Sequence, residues 1–192
     1  AAEVRPLPSF TANDRVLILA PHEDDESLGT GGVIQKALAA KAALRVDYLT
    51  YGDHNVVAFM LYRKKPWVSP TINRNMGEWR RKESIRAMTG MGLREDQLVF
   101  LGYPDNGTLE IWRRHWGERP AFHSTLTNTD KVPYENSPVH GHLHKGEVLL
   151  EDIKSIIAAY GPTHIFVSHP ADGNMDHQAF WLFTRVALWD LA

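Results

Sequence analysis

The fold is decided by the stretch Val16-Leu-Ile-Leu-Ala-Pro-His-Glu-Asp-Asp-Glu26, closely followed by the glycine-rich run Gly29-Thr-Gly-Gly32. Its first half is a continuous apolar run, typical of a strand that is buried on both faces of a parallel sheet. Its second half places one imidazole and four carboxylates where that strand ends. Open α/β folds keep their ligand crevices at the carboxyl edge of the sheet, so the sequence predicts a polar site at that edge.

A metal ion accounts for this concentration of charge. Four consecutive acidic residues, Glu23 to Glu26, would repel one another unless a cation or solvent relieved them. A catalytic zinc usually takes three nitrogen or oxygen ligands from the protein, and His22 with Asp25 can supply two. Asp24 is then free to take a proton from a water whose pKa the metal has lowered.

The third ligand is expected from the far end of the chain. Thr163-His-Ile-Phe-Val-Ser168 has the β-branched and aromatic character of a second buried strand, and it runs into His169-Pro-Ala-Asp-Gly-Asn-Met-Asp-His177. If both strands lie in one parallel sheet, their ends face the same way and His177 can reach the metal. Asp176 is expected to contact a ligand rather than the metal.

These residues resemble the signature motifs of the PIG-L/LmbE-like family of zinc-dependent N-deacetylases. The first motif is the strand with Pro21-His-Glu-Asp-Asp-Glu26, and the second is Asn174-Met-Asp-His177. Between them, Leu49-Thr-Tyr-Gly-Asp53, Arg80-Arg-Lys-Glu83 and Phe100-Leu-Gly-Tyr-Pro-Asp105 resemble the family's second strand, its Arg-x-x-Glu helix and its third strand. The likeness therefore spans roughly residues 14 to 185.

The resemblance implies a function and a role for individual residues. Family members remove an acetyl group from an N-acetylated amino sugar or its conjugate. Carried over by position, the family pattern makes His22, Asp25 and His177 the zinc ligands and Asp24 the general base. Two nitrogens and a carboxylate also suit iron(II), cobalt or nickel, so the residues leave the identity of the metal open.

The chain departs from the family pattern at two positions. Glu23 stands where the family usually has Pro, which removes a φ restraint and adds charge beside the site. Asn174 stands where many members have a His that stabilises the oxyanion. An Asn amide can donate a hydrogen bond to a developing oxyanion but cannot pass on a proton, so we expect Asp24 itself to protonate the leaving amine.

Four further residues are candidate substrate contacts. The resemblance suggests Arg80 and Asp105, while Asp53 stands with His54 at a strand end near the site. Trp112 can stack on a sugar ring, because the apolar faces of pyranosides fit aromatic surfaces. The alternatives are a helix-face salt bridge, a turn residue and a core aromatic.

The alternation of strand and helix predicts an α/β fold, a Rossmann-like three-layer sandwich with a mostly parallel sheet and the site at its carboxyl edge. Strands are predicted over 15–20, 44–50, 97–102 and 163–168. Helices are predicted over 31–42, 77–89, 109–114, 146–160 and 176–191. The segment 55–64 is ambiguous between a short helix and a loop. The glycine run is expected to be a turn that permits close packing of helix on sheet.

Residues 1–192 are predicted to form a single domain, within which 115–145 have no sustained periodicity. We interpret this irregular region as a substrate-facing lid, because its position after a strand end places it over the site. Three histidines in His140-Gly-His-Leu-His144 bind metal only if the backbone folds to converge them. The chain stops at Trp189-Asp-Leu-Ala192 in or just after an apolar helix, which suggests a fragment of a longer chain.

Composition excludes several classes of protein. The net charge of -2 and the lack of a long basic run argue against a nucleic-acid partner. The absence of cysteine excludes a thiolate metal site, a cysteine nucleophile and a disulfide scaffold. No apolar stretch approaches the roughly 20 residues of a membrane span. The sequence is compatible with a cytoplasmic location and with secretion after signal removal, and it says nothing of oligomeric state.

Three functions remain in view. The first is a metal-dependent hydrolase that deacetylates an N-acetylated sugar or glycoconjugate. The second is a non-catalytic carbohydrate- or metal-binding module on the same fold, against which the intact Asp24 argues. The third is a nucleotide-binding Rossmann-like domain, in which Asp53 would bind a ribose, but the glycine run lacks the usual Gly-x-Gly-x-x-Gly spacing.

Overall fold

The computed structural model describes residues 6–54 and 69–192. Four strands form one parallel sheet, in the order β3-β2-β1-β4. The strands are β1 (Arg15–Ala20), β2 (Ala43–Thr50), β3 (Leu98–Tyr103) and β4 (His164–Val167). The predicted α/β class and parallel sheet are therefore confirmed, and the predicted strand ends are correct to within a residue.

Five α-helices cover the sheet in the described part of the chain. They are α1 (Asp25–Ala39), α2 (Pro70–Gly90), α3 (Thr108–Arg114), α4 (Gly146–Tyr160) and α5 (Met175–Asp190). A short 3₁₀ helix, Glu95–Gln97, precedes β3. None of these helices combines the length and the apolar character that a membrane crossing requires. The segment 55–64, whose structure the sequence left ambiguous, lies outside the described residues.

The strand order makes β1 the turning point of the sheet. From β1 the chain winds outward through β2 to β3, and it then returns to place β4 on the opposite side of β1. Because parallel crossovers are right-handed, the helices of the two halves lie on opposite faces of the sheet. The gap between the carboxyl ends of β1 and β4 is thus the topological switch point, where α/β folds bind ligands.

The core explains why β1 reads as an unbroken apolar run. Val16 to Ala20 are at most 3% exposed, because helices cover the strand on both faces and β2 and β4 flank it. Helix α4 contributes Leu149, Ile153 and Ile157 to the same core and ends at Gly161, whose φ of 60° is the left-handed conformation of a helix C-cap. The predicted bounds of this helix are confirmed.

Two predicted helix starts are wrong. Helix α1 begins at Asp25, so the glycine run is helical rather than a turn. A Cβ added at Gly29, Gly31 or Gly32 would meet no atom within 4 Å, so close packing does not explain these glycines. Helix α2 begins at Pro70, where the Ser69 side chain accepts a hydrogen bond from the Ile72 N–H and Pro fits the first turn.

A buried carboxylate on β2 makes the stability of the fold depend on pH. Asp47 is fully buried; its Oδ1 accepts a hydrogen bond from Arg45 Nε at 2.6 Å, and its Oδ2 has no partner among the described residues. Burial raises the pKa of Asp47 to about 6, although the Arg45 charge opposes the shift. The folded state therefore holds this proton to a higher pH than the unfolded chain does.

We predict that this group destabilises the protein as pH rises from about 4, the ordinary pKa of Asp, to about 7. The free energy of unfolding of wild type, relative to that of Asp47→Asn, should fall by up to about 3 kcal/mol over this window. Urea unfolding from pH 4 to pH 8 measures it. The control Asp96→Asn, at an exposed carboxylate, should track wild type, and parallel curves for wild type and Asp47→Asn would contradict the prediction.

Candidate metal centre

The ends of β1 and β4 bring three donor side chains together. The ligand atoms of His22, Asp25 and His177 all lie within 4.8 Å of one another. Asp25 Oδ2 is 3.2 Å from His22 Nδ1 and 3.1 Å from His177 Nε2. Tetrahedral zinc with bonds of about 2.0–2.2 Å separates its ligand atoms by roughly 3.3 Å, so this spacing suits such an ion. The three residues predicted as ligands converge.

Two carboxylates fix the orientation of His22. The imidazole Nε2 is 3.1 Å from Asp176 Oδ2 and 3.4 Å from Asp105 Oδ1. Because Nε2–H faces these carboxylates, Nδ1 is the nitrogen left for a metal, as is common for imidazole ligands with a carboxylate partner. The prediction that Asp176 contacts a ligand agrees with this geometry.

Asp176 is itself held by several donors. It is fully buried, and its carboxylate accepts hydrogen bonds from the backbone N–H of Asn106 at 2.6 Å, from the N–H of Thr108 at 3.2 Å and from the Thr108 hydroxyl. A second group of side chains close enough to ligate a metal consists of His22, Asp105 and Asp176. Since the Asp176 oxygens already have these partners, we interpret the group as the support of His22.

His177 has a matching partner that the sequence prediction did not assign. Its Nδ1 is 3.0 Å from Asp172 Oδ2, which leaves Nε2 toward Asp25. Both imidazoles thus have one nitrogen against a supporting carboxylate and the other toward the shared centre. An acidic residue five positions before the second His is the only signal for Asp172 in the sequence.

Burial and hydrogen bonds within the cluster shift the pKa values of its side chains. Burial lowers the pKa of His22, but hydrogen bonds to Asp105, Asp176 and Asp25 outweigh it and raise the pKa to about 12. Burial raises the pKa of Asp25, but hydrogen bonds from His177 and His22 hold it well below its usual value. Because a metal binds the unprotonated nitrogen of an imidazole, we expect metal binding at these histidines to release protons.

Asp24 lies beside this cluster and is not part of it. Its side chain is 58% exposed, and its Oδ2 is 3.6 Å from Arg80 Nη2. Arg80 also donates from Nη1 to the Gly52 carbonyl oxygen at 3.0 Å. Gly52 has a φ of 55°, and a Cβ at this position would overlap the guanidinium, so the glycine permits the approach of Arg80.

Glu23, at which the chain departs from the family pattern, is a buried carboxyl group. Both carboxylate oxygens of Glu23 lack hydrogen-bond partners among the described residues, and the nearest cation is Arg80 Nη1 at 3.8 Å. Burial raises the pKa of Glu23 well above its usual value, although the Arg80 charge opposes the shift. Arg80 therefore lies between two acidic side chains at the edge of the site.

A cavity of about 440 Å³ opens on the candidate metal centre. Its size suits a small ligand. Besides the three candidate ligands, it is lined by Asp24, Arg80, Asp105 and Asn174, as well as His54 and Asn106. A larger cavity of about 870 Å³ lies along the β3 edge and contains no histidine. The predicted base and two of the predicted substrate contacts thus share one cavity with the metal centre.

Two predicted substrate contacts lie elsewhere. Trp112 packs edge-on against Phe183, with ring centroids 4.9 Å apart, and it is not among the residues that line the cavity. Its place in the core between α3 and α5 argues against stacking on a sugar. Asp53 is 2% exposed and accepts a hydrogen bond from the Tyr134 hydroxyl at 2.5 Å, so it lies behind the cavity wall.

The irregular region 115–145 packs on the rest of the domain. The Tyr134 ring stacks on Tyr51 at 3.8 Å, and the Ser137 hydroxyl donates to the Leu101 carbonyl oxygen at 2.6 Å. His142 pairs with Asp152 and His144 is buried, so among the described residues these histidines form no metal-binding group. No residue of the region lines the 440 Å³ cavity, and its contact with substrate stays a prediction.

Fold and site together define a doubly wound α/β protein with a candidate metal centre at its topological switch point. The sequence profile of the PIG-L family, described as GlcNAc-PI de-N-acetylase, matches residues 17–188. The chain belongs to the PIG-L family. No curated protein has a sequence that matches the chain significantly.

Solved structures share the fold. The N,N'-diacetylchitobiose deacetylase of Pyrococcus horikoshii has a TM-score of 0.60 and 18% identity, over 92% of this chain and 49% of that one. The A40926 pseudoaglycone deacetylase Dbv21 has a TM-score of 0.57 and 19% identity, over 93% and 60%. The 4-carboxy-2-hydroxymuconate hydratase GalB of Pseudomonas putida has a TM-score of 0.60 and 15% identity, over 91% and 55%. The chain thus spans about half to three fifths of the length of these relatives.

We predict that Asp176→Asn weakens metal binding. An amide cannot hold the His22 imidazole as an anionic carboxylate does, and loss of such a partner typically costs 10- to 100-fold in metal affinity. Titration of the metal-free protein with zinc measures the effect, and Asp96→Asn, the same change at an exposed carboxylate, is the matched control. A folded Asp176→Asn protein with the zinc affinity of wild type would contradict the assigned role.

Proposed function

We propose that the protein is a metal-dependent hydrolase that removes the acetyl group from an N-acetylated amino sugar or its conjugate. The observation that carries the proposal is the convergence of His22, Asp25 and His177 beside a carboxylate, Asp24, that stays outside the cluster. Membership in a family described as a de-N-acetylase and the likeness to two deacetylases support the reaction. The hydratase among the neighbours makes a direct test of the reaction necessary.

Zinc is the metal we propose, held by His22, Asp25 and His177. When bound, such a metal supplies Lewis acidity that polarises a carbonyl and lowers the pKa of water from about 15.7 to about 7. Two imidazoles and one carboxylate are a common donor set for catalytic zinc, and they leave room for water and substrate. Asp105 and Asp176 orient the first imidazole, and Asp172 orients the second.

Asp24 is the general base in this proposal. It lines the cavity, it is exposed enough to reach a water, and Arg80 lies 3.6 Å away to restrain it. The carboxylate takes the proton of the water that attacks the amide carbonyl. Arg80 and Asp105 line the same cavity, and we propose that they contact the sugar hydroxyls.

Asn174 donates a hydrogen bond to the developing oxyanion. Its Oδ1 accepts the backbone N–H of Asp176 at 2.8 Å, where it caps helix α5. Because the oxygen is engaged in the cap, the amide nitrogen is left to donate into the cavity that Asn174 lines. One side chain thus begins the helix and presents a donor to the site.

We predict that the roles of the two adjacent aspartates separate experimentally. Asp25→Ala should lose the metal, because one of three ligands is removed, and should release no acetate. Asp24→Asn should keep the metal and lose acetate release, by about 10²- to 10⁴-fold, since an amide accepts no proton. Metal analysis and acetate release from a panel of N-acetylated sugars measure both, with Glu118→Gln as an exposed control.

Acetate release by Asp24→Asn at the wild-type rate would remove Asp24 from the mechanism. If the metal-loaded wild type releases acetate from no member of the panel, yet binds one of these sugars, the protein is a carbohydrate-binding module instead.

We predict that Asn174→Ala lowers turnover by about 10²- to 10³-fold, the usual cost of one oxyanion donor. The same change removes the helix cap, which costs about 1 kcal/mol of unfolding free energy. Asn174→Asp keeps a capping oxygen and loses the donor, so it should lose turnover with little loss of stability. Acetate release and urea unfolding of both variants measure the two effects; wild-type turnover in both would exclude the oxyanion role.

A further inference from the structure

The cavity contains a third imidazole that the metal centre does not use. His54 lines the cavity together with Asp24 and Asn174, and it follows the end of β2. His22 and His177 each face carboxylates through both ring nitrogens. The His54 ring, in contrast, makes no ion pair with any side chain in the described ranges 6–54 and 69–192.

The turn after β3 holds His54 in place. Its backbone N–H donates to Asp105 Oδ2 at 3.0 Å, and its ring Nδ1 contacts the side-chain amide of Asn106. Asn106 has a φ of 61° and donates its own N–H to Asp176 Oδ2 at 2.6 Å. The residues that orient His22 therefore also position His54.

The partner of Nδ1 is compatible with both protonation states of the imidazole. A side-chain amide can donate through its nitrogen or accept through its oxygen, so Asn106 can bind a bare or a protonated Nδ1. The Nε2 atom has no hydrogen-bond partner within residues 6–54 and 69–192. Within the described part of the chain, the ring is thus held at Nδ1 and has Nε2 free, which is the arrangement that proton transfer to a ligand requires.

Amide hydrolysis needs such a group. The attacking water must lose a proton, which Asp24 accepts, and the leaving nitrogen must gain one. The amide of Asn174 cannot supply it, because an amide does not ionise at ordinary pH. Asp24 and His54 line the same cavity of about 440 Å³, a size that suits one small ligand, so both can act on the same substrate.

We propose that His54 is the general acid that protonates the leaving amine, an inference that rests on the proposed deacetylation. The water oxygen bonds to the carbonyl carbon as its proton passes to Asp24. The C–N bond then breaks, its electron pair stays on nitrogen, and His54 Nε2 gives that nitrogen a proton. Acetic acid and the free amine form, and the acid loses its hydroxyl proton to solvent to become acetate. The imidazole regains a proton from solvent, and Asp24 releases its own.

The assignment replaces our expectation from the sequence, in which Asp24 carried both proton transfers. Asp24, which follows β1, accepts the proton of the water, and His54, which follows β2, protonates the amine. His54 is then needed for a poor leaving group, such as an amine, and not for a good one.

The test compares an amide with an activated ester on zinc-loaded protein. His54→Gln should lower acetate release from the N-acetylated sugar that wild type hydrolyses best by about 10²-fold or more. It should leave hydrolysis of p-nitrophenyl acetate near the wild-type rate, because the phenolate departs without a proton. His140→Gln, an exposed histidine in the irregular region, should change neither rate, and all three proteins should bind equal zinc.

Equal losses on amide and ester, or no loss on the amide, would overturn the role of His54. A wild type that binds zinc but releases no acetate from any amide would instead overturn the proposed function. A second measurement does not depend on turnover: in ¹⁵N-histidine spectra of the zinc-loaded protein, glucosamine should shift the Nε2 resonance that disappears in His54→Gln. An unshifted resonance at saturating glucosamine would also overturn the proposal.

Discussion

The parallel pairing of β1 with β4 is the constraint on which the site depends. Leu19 pairs with Val167 at the carboxyl end of this pair, so the segments that carry His22 and His177 leave the sheet at the same edge. Burial of β1 and partial burial of β4 fix the two segments, so the fold itself brings the donor side chains together. Folding thus already orders the ligand side chains, so metal binding does not have to offset the conformational entropy that a flexible chain would lose.

The same edge concentrates negative charge, which the fold must neutralise. Asp25, Asp105 and Asp176 surround one imidazole, and Glu23 is buried against Arg80. Carboxylates this close repel one another unless positive charge lies among them. The side chains that can supply it are the two imidazoles and the Arg80 guanidinium, and a divalent ion would do the same.

Much of this arrangement could be predicted from the sequence, because its strongest signals are local. The apolar run of β1 and the stripe of α4 follow directly from periodicity, and the ligands follow the strand ends. What the sequence did not reveal depends on the fold of loops. Asp172 supports His177 through a turn, and Asn106 and Thr108 meet Asp176 only because the chain after β3 crosses to α5.

The wrong prediction at the glycine run and the unexpected place of Trp112 have a similar origin. An aromatic residue on a short helix carries no signal for which face is buried, and Trp112 faces the aromatic core between α3 and α5. Three glycines within four residues favour a turn by propensity, yet α1 begins before them, with Asp25 and Glu26 in its first turn. Acidic residues there complement the helix dipole and so favour a helix start at Asp25.

The candidate metal ligands and the groups proposed to transfer protons lie on different parts of the fold. The ligands and their supporting carboxylates lie on the paired strand ends and the helices that follow, which the whole core holds rigid. Asp24, Asn174 and His54 surround the cavity on three different segments, and each is a group that moves or receives a proton or a hydrogen bond. Because a fold does not by itself fix a reaction, the chemistry must be argued from these side chains rather than from the architecture. In this chain an amide, Asn174, and an imidazole, His54 from the segment after β2, line the same cavity, which is why we assign them different parts of the proposed reaction.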